Sequence, residues 1–212
     1  MIVTDETTTS PRRTRARRGE GPLLRERILD AAERLLIQTG DEDQVSIRAV
    51  ADEVGVTPPS IYMHFADKRE LIFAVCDKHY ERFDEFVERA AAGIEDPLAS
   101  LHARGRAYVQ FGLENPEHYR VLFMGKPSAT PASYDPQQIM TSSAFAHLIE
   151  AVQRCADAGV IRGETLMVSI SLWAGVHGIT SLLISKPNFP WPDRDELIDR
   201  VLWNLVEGVL AR

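Results

Sequence analysis

The chain contains little cysteine, and its two cysteines stand far apart. Cys76 and Cys155 form no Cys-x-x-Cys pair, whereas disulfide frameworks and cysteine-based zinc sites need several closely spaced cysteines. We therefore expect two buried, reduced thiols. No set of metal ligands stands out elsewhere in the sequence, so we expect neither a bound metal nor another cofactor.

Motifs of catalysis are also missing. The sequence has no Gly-x-Ser-x-Gly elbow, no His-Glu-x-x-His pair and no glycine-rich phosphate loop, each of which places reactive groups on a defined turn or helix. It also lacks internal repeats and the alternation of apolar and polar residues that is typical of strands. These absences disfavour an enzyme and favour an all-α protein.

The amino terminus lacks the apolar run of a secretory signal, so the cytoplasm is the expected location. One stretch does lack charge: residues 165 to 185 contain no Asp, Glu, Lys or Arg and approach the length of a membrane span. Its serines, threonines, histidine and glycines make it a poor span. We expect no membrane partner, and interpret the stretch as a helix that protein covers on nearly every side.

Positive charge is scarce overall, because the net charge of −7 leaves acidic residues in excess. That balance by itself disfavours nucleic acid as a partner. It is reversed near the amino terminus, where residues 10 to 29 hold seven arginines and two glutamates. Residues 1 to 22 have no apolar periodicity, so we expect a flexible basic arm that either extends into solvent or adds contacts to a phosphate backbone.

Apolar residues recur at helical spacing over the rest of the chain, which predicts about nine helices. The first helix spans residues 23 to 39 and stops at Gly40. A second helix of barely two turns follows Ser46, a residue placed to cap it, and ends at Gly55. A third helix begins at Pro58, where the missing N–H costs nothing and Thr57 can cap the first turn.

The remaining helices are longer. The fourth runs from Asp67 to about Ala92 and opens with a capping-box spacing. Residues 97 to 124 are helical in pattern with a break before Pro116, a loop follows at residues 125 to 136, and a helix is predicted over residues 137 to 158. After the uncharged helix, the last helix spans Asp195 to Ala211 and carries an unusually wide apolar face.

Two short helices joined by a glycine-containing turn, after a longer first helix, are typical of a helix-turn-helix DNA reader. Ser60 is short enough to approach a base edge, and Tyr62 and His64 carry polar tips suited to phosphate oxygens. Lys68 lies in the first turn of the fourth helix, where its charge adds to the positive end of the helix dipole. For His64, contact with DNA is favoured over metal binding.

The stretch from Arg25 to Leu71, ILDAAERLL…G…VSIRAVADEVGVTPPSIYMHFADKRELI, resembles the TetR family of bacterial transcriptional regulators. The resemblance implies a three-helix DNA-binding domain at residues 23 to 66 and a ligand-binding and dimerisation domain at residues 67 to 212. It also implies a homodimer on a near-palindromic operator, most often a repressor, that a small hydrophobic effector releases.

The resemblance also suggests individual roles in DNA binding. Phosphate contacts are expected from the backbone at Ser46 and from the side chains of Thr57, Tyr62, His64 and Lys68. Major-groove contacts are expected from Pro58, Pro59, Ser60 and Met63. The basic arm adds Arg12, Arg13, Arg15, Arg17 and Arg18 as candidates. Because Pro58 and Met63 are apolar, thymine methyl groups and DNA shape are expected to carry much of the specificity.

Within the uncharged helix, SLWAGVHG resembles the Trp-x-x-x-His-Gly signature of one group of TetR-like C-terminal domains. Trp173 and His177 share a helix face, and Gly175 and Gly178 permit close approach of another helix. The family's dimer uses its last two helices, which would explain their broad apolarity. Candidate effector contacts are Tyr108, Phe111, Phe123, Met124, Phe145, Leu148, Trp173 and His177. Ordinary core or interface packing remains an alternative for each of them.

Two other classes of function stay open. An enzyme would show turnover that depends on His177. An architectural or adaptor protein without an effector would bind DNA regardless of metabolites and contain no cavity in its C-terminal domain.

Overall fold

Residues 21–124 and 144–211 are described by the computed structural model. Within these ranges the chain forms nine α-helices and no β-strand, which confirms the all-α prediction. The helices are α1 (Gly21–Thr39), α2 (Ile47–Val54), α3 (Pro58–Tyr62), α4 (Lys68–Ala91), α5 (Pro97–Glu114), α6 (Pro116–Phe123), α7 (Ala144–Asp157), α8 (Thr165–Ser185) and α9 (Arg194–Glu207). A 3-10 turn, Glu42–Gln44, lies between α1 and α2.

Some predictions concern residues outside the described ranges. The basic arm lies there up to residue 20, as do the predicted loop at residues 125 to 136 and the first residues of the helix predicted from residue 137. The described fold divides into two compact units, the first ending at Val75 and the second beginning at Cys76.

The first unit contains α1, α2, α3 and the start of α4. Its core is formed by fully buried side chains that recur every three or four residues, among them Ile28, Val50, Ile61 and Leu71. Helix α1 begins at Gly21, two residues earlier than predicted. Proline is compatible with a first helical turn, so Pro22 does not delay the start of the helix.

The predicted helix ends of this unit are confirmed. Gly40 and Gly55 have φ values of 62° and 80°, the left-handed conformation that glycine adopts without strain. The Ser46 hydroxyl accepts a hydrogen bond from the Ala49 N–H at 3.1 Å and so caps α2. These local signals set the length of α2 and the turn that leads to α3.

The second unit contains the rest of α4 and helices α5 to α9. Helix α5 packs against α6, α7, α8 and α9, and α8 also contacts α7 and α9. A Cβ atom at Gly112 of α5 would overlap Thr180 of α8, and one at Gly175 of α8 would overlap Leu205 of α9. Close approach was predicted for Gly175, whereas Gly178 has nothing within 4 Å of its Cβ position in the described chain.

Helix α9 ends at Glu207, four residues before the predicted end at Ala211. The residues that follow pair with the turn between α7 and α8 instead of continuing the helix. Leu210 forms an isolated antiparallel bridge with Ile161, and the Ala211 N–H donates to the Val160 carbonyl at 2.9 Å. The prediction was wrong because this tertiary pairing replaces the last helical turn.

The predicted covering of helix α8 on nearly every side is not complete within a single chain. It is long and apolar enough to cross a membrane, and 44% of its most apolar window is buried inside the chain. One side is buried through residues such as Leu172 and Val176, while the other side exposes large apolar residues. Those exposed on α8 are Met167, Ile170, Trp173 and Leu182. A single chain therefore covers only one side of this helix.

The two cysteines form no disulfide. Cys155 is fully buried, as predicted, and burial raises the pKa of its thiol. Cys76 is only half-buried, because its position on α4 lies at the edge of the apolar stripe. The prediction of two buried thiols is thus correct for one of them.

Candidate nucleic-acid interface and aromatic core

The turn between α2 and α3 is built by backbone hydrogen bonds around Gly55. The Gly55 N–H donates to the carbonyls of Ala51 and Asp52, and the Val56 N–H donates to Ala51 at 2.9 Å. Thr57 is extended, with φ −94° and ψ 149°. The chain thereby leaves α2 and enters α3 after only three residues, as a helix-turn-helix requires.

Helix α3 has one buried and one exposed side. Ile61 and Phe65, just past its end, are buried, so both point toward the core. Tyr62 and Met63 are 53% and 84% exposed. The other candidate DNA contacts of the turn and helix are exposed or half-buried: Ser46, Thr57, Pro58, Pro59, Ser60, His64 and Lys68.

Thr57 occupies the N-cap position, but its side chain makes no capping hydrogen bond to the backbone. Pro58 and Pro59 have no N–H to offer, and the Ser60 N–H donates to the Thr57 carbonyl at 2.9 Å. The predicted cap was therefore wrong. The Thr57 hydroxyl lies 3.1 Å from the Ser60 hydroxyl instead, so the two side chains orient each other.

Two arginines of the basic amino-terminal stretch stabilise the first unit. The Arg25 guanidinium lies over the Phe65 ring, 5.0 Å from its centroid, in a cation–π contact. Arg27 donates to the Val54 carbonyl at 2.8 Å, at the carboxyl end of α2. Both contacts hold α1 against the ends of α2 and α3. The other candidate arginines, Arg12, Arg13, Arg15, Arg17 and Arg18, lie outside the described residues.

The start of α4 is fixed by reciprocal capping. The Glu70 N–H donates to the Asp67 carboxylate at 2.9 Å, and the Glu70 carboxylate accepts from the Ala66 N–H. The predicted capping pair is thus present, although the return bond goes to Ala66 and not to Asp67. This cap fixes the start of α4. Lys68 therefore lies in the first turn of α4, a short distance along the chain from the end of α3.

Sequence reasoning missed two exposed cations of the first unit. Arg48 lies in the first turn of α2 and Arg69 follows Lys68 in α4. Among the described residues neither forms a salt bridge. Their signal in the sequence is a basic residue in a first helical turn, where the helix dipole makes a cation unfavourable unless an anion binds.

In the second unit, aromatic side chains of α4, α5, α6 and α8 form one cluster. The Phe83 ring lies at its centre, with ring centroids 5.1 Å from Tyr108, 5.2 Å from Phe111 and 5.5 Å from Phe123. Edge-to-face contacts of this kind add to the stabilisation from burial. We call this set, completed by Tyr119 and His177, the aromatic cluster.

The other predicted effector contacts lie at its edge or away from it. Trp173 is 39% exposed and links His177 to Phe145, at centroid distances of 6.3 Å and 5.7 Å. Met124 is exposed at the end of α6. Leu148 packs on a separate apolar group formed by α5, α7 and α8.

Tyr119 is the main residue of the cluster that sequence reasoning missed. Its side chain is completely buried, and its hydroxyl donates to the Tyr108 oxygen at 3.1 Å and lies 2.7 Å from Nδ1 of His177. The Tyr108 hydroxyl also lies 3.4 Å from the same Nδ1 atom, so both hydroxyls meet one imidazole nitrogen, and the tautomer of His177 sets which group donates.

Burial controls the ionisation of all three groups. It lowers the pKa of His177 and raises that of Tyr108 to about 12, against opposing hydrogen bonds from Tyr119 and Trp173. Burial and the neighbouring Tyr108 also raise the pKa of Tyr119. The network is thus neutral near pH 7, a polar patch inside an apolar surrounding.

Comparison with known proteins gives matches over both units. A family model described as bacterial regulatory proteins, tetR family, matches residues 28–75. A model described as a tetracyclin repressor-like C-terminal domain matches residues 101–205. The transcriptional activator FasR of Mycolicibacterium smegmatis is 23% identical over 186 residues, 88% of this chain and 79% of FasR.

Solved structures share the fold. A protein of unknown function from Rhodococcus sp. RHA1 has a TM-score of 0.71 and 26% identity, covering 89% of this chain and 96% of its own. A TetR family regulator from Marinobacter aquaeolei VT8 also has a TM-score of 0.71, with 21% identity over 92% of this chain and all of its own.

Proposed function

Because the chain belongs to the TetR family of DNA-binding transcriptional regulators, we propose that it is a cytoplasmic homodimeric repressor of a near-palindromic operator. A small hydrophobic effector, bound in the second unit, would release it. The observation that carries the proposal is the two-sided helix α3, which buries Ile61 and exposes Tyr62 and Met63.

The exposed side of α3 suits a major groove in size and chemistry. Pro58, Pro59, Ser60 and Met63 would face the bases, with the Ser60 hydroxyl oriented by Thr57. This face offers few hydrogen-bonding groups, so thymine methyls and groove shape would contribute most of the specificity. Backbone or side-chain groups of Ser46, Thr57, Tyr62, His64 and Lys68 would bind phosphates.

Selection of bound fragments from genomic DNA, followed by fluorescence anisotropy on the recovered site, tests the reader. If Tyr62 binds phosphate, Tyr62→Phe should weaken all recovered sites by a similar factor, whereas Ser60→Ala should change the preference among sites. Tyr62→Phe that weakens only some sequences would assign Tyr62 to base recognition instead. An exposed tyrosine change leaves the fold intact, which circular dichroism verifies.

The basic arm is proposed to add phosphate contacts next to the reader. Deleting residues 1 to 18 removes Arg12, Arg13, Arg15, Arg17 and Arg18 together. Operator affinity should fall by a similar factor for every site, and its dependence on salt concentration should flatten, because fewer counterions are released on binding. An unchanged salt slope would mean that the arm does not touch DNA.

The aromatic cluster is the proposed effector site, because it combines apolar rings with a neutral polar patch at His177. Phe83 belongs to it from α4, the helix that also carries Lys68, and Tyr80 and Phe86 of the same helix contact its rings. An effector that separates these rings would act on α4 directly. A coupling of about 1 to 3 kcal/mol would change operator affinity roughly 5- to 150-fold.

The exposed apolar side of α8 supports the homodimer. Met167, Ile170 and Leu182 of α8 and Trp203 of α9 remain exposed in a single chain, and monomeric proteins rarely leave such a surface uncovered. Trp173 lies on this side while contacting His177, so it would link interface and cluster. Analytical ultracentrifugation tests this interface. A dimeric wild type and a monomeric Ile170→Glu variant would support the exposed side of α8 as the dimer interface.

Release and the direction of regulation are tested separately. Fatty acids, phenols and terpenes are added to the protein–operator complex. At least one of these classes should lower the operator affinity roughly 5- to 150-fold. Complete indifference would favour an architectural protein. Since the similar protein FasR is named an activator, deleting the gene decides the sign: expression beside the recovered site rises for a repressor and falls for an activator.

A further inference from the structure

Helices α4 and α7 bring together three side chains of the kinds that bind transition metals. Asp84 and Glu88 lie one turn apart on α4, and His147 projects from α7 so that its Nδ1 is 2.8 Å from Oδ1 of Asp84. One ligand atom from each of the three residues lies within 4.8 Å of the others. All three are half-buried, unlike the freely exposed acidic residues common on protein surfaces.

Neighbouring residues hold Glu88 in place. Nε and Nη2 of Arg104 donate to the two Glu88 carboxylate oxygens at 2.8 Å and 2.6 Å, and Arg104 also donates to the Ser100 hydroxyl at 2.6 Å. Each carboxylate oxygen has two lone pairs, so Glu88 can keep this partner and still bind a cation. Such outer contacts orient the ligands of many metal sites.

The cluster opens onto a cleft of about 420 Å³. Glu88 and His147 line it, together with Arg104, Glu150, Gln153 and Arg154. A cation bound at the cluster would therefore have room for water ligands on one side and protein ligands on the other.

From this geometry we propose that Asp84, Glu88 and His147 bind one divalent first-row transition metal, such as Mn²⁺, Ni²⁺ or Zn²⁺. Nδ1 of His147 and Oδ1 of Asp84 lie 2.8 Å apart, so metal–ligand bonds of about 2.1 Å can reach both atoms from a single position.

The ligand set also sets the class of ion. An imidazole nitrogen with two carboxylates favours transition metals over Mg²⁺ and Ca²⁺, which prefer oxygen ligands alone. On binding, the metal replaces the hydrogen between His147 and Asp84, which leaves to solvent as a proton. The bound ion would join α4 to α7, and the inference does not depend on which operator or effector the protein recognises.

The full chain without a polyhistidine tag, stripped with EDTA and dialysed, is titrated with MnCl₂, NiCl₂ and ZnCl₂ by calorimetry. One saturable site per chain is expected for at least one metal. His147→Gln and Asp84→Asn should each weaken it at least tenfold. The matched control is His102→Gln, since His102 is also half-buried and lies 3.6 Å from a carboxylate, that of Asp199, and it should leave the affinity unchanged.

A second measurement needs no variant. In imidazole NMR spectra of the wild-type chain, substoichiometric Mn²⁺ or Ni²⁺ should broaden the His147 signals before those of His102. The absence of saturable binding, binding that survives both substitutions, or broadening of another histidine in place of His147 would each overturn the proposal. In those cases the cluster serves only to join two helices by hydrogen bonds.

Discussion

Phe83 and Asp84 are neighbours on α4, yet they belong to regions of opposite character. Phe83 lies within the aromatic cluster, and Asp84 belongs to the polar cluster with Glu88 and His147. Each region contains one histidine. Burial lowers the pKa of His177, whereas the hydrogen bond that the His147 ring donates to Asp84 raises the pKa of His147 against the opposing effect of burial. The comparison teaches that surroundings, and not residue type, decide what a histidine does here.

The aromatic cluster should be the more sensitive region to loss of volume. Tyr119→Ala removes a completely buried ring and should lower the free energy of unfolding by about 3–5 kcal/mol. Urea denaturation measures this change. Phe189→Ala, at an exposed aromatic position, should change it by less than about 0.5 kcal/mol. Similar losses in the two variants would mean that the cluster contributes no special stability.

Close packing makes the same region sensitive to added volume. Gly112→Ala would place a Cβ against Thr180 and within 3.0 Å of the Tyr119 ring, both completely buried, and should cost about 1–3 kcal/mol.

Gly105→Ala is the matched control on the same helix. Its Cβ would meet only the flexible end of the Leu202 side chain, and alanine favours a helix over glycine by about 1 kcal/mol. It should therefore be nearly neutral. A neutral Gly112→Ala would show that α5 and α8 can separate at little cost.

The polar cluster should respond to loss of charge. Glu88→Gln leaves the guanidinium of Arg104, only 11% exposed, without its carboxylate. Because Glu88 itself is 31% exposed, solvent screens the pair, and we expect a cost of about 1–2 kcal/mol. Glu150→Gln, in the same cleft, should stay within about 0.5 kcal/mol. Urea denaturation in EDTA measures the free energy of unfolding of both variants. Equal losses would mean that the pairing with Arg104 does not explain the cost of Glu88→Gln.

The smallest predicted effect concerns how the free energy of unfolding changes with pH. The contributions of His177 and His147 should change in opposite directions. His177 has a folded-state pKa below the unfolded value of about 6.5, so it costs stability as the pH falls through that value. His147 has a raised pKa, so its contribution is present below about pH 6.5 and is lost as the pH rises through the folded value.

Urea denaturation from pH 5.5 to 8, in EDTA, compares the wild type with His177→Asn and His147→Gln. The cost of His177→Asn should shrink toward low pH, and that of His147→Gln should shrink toward high pH. The same trend in both variants would contradict the comparison.

Much of the fold was predictable because its signals are local. Glycines in the left-handed conformation, the Ser46 cap and the break before Pro116 act within a few residues, and all lie where the sequence placed them. The error at the end of α9 arose because a distant segment intervened: the residues after α9 pair with Ile161.

The candidate sites were predictable to different degrees. The exposed side of α3 follows from its helical period, since Ile61 and Phe65 had to face the core. For the aromatic cluster, sequence spacing indicated Tyr108 and Phe111 but did not select Tyr119. The polar cluster went unrecognised, because Asp84 and Glu88 are ordinary helix residues until His147 reaches them from α7.

By itself, the sequence determined an all-α fold with a helix-turn-helix and a third helix that begins at Pro58, because each of these features depends on neighbours within one or two helical turns. Only the tertiary structure decided which histidine has a lowered pKa and which has a raised one. The partners Tyr119 and His177 are 58 residues apart, and Asp84 and His147 are 63 apart. Burial and hydrogen bonding at such separations depend on which helix faces meet, and no local pattern records that.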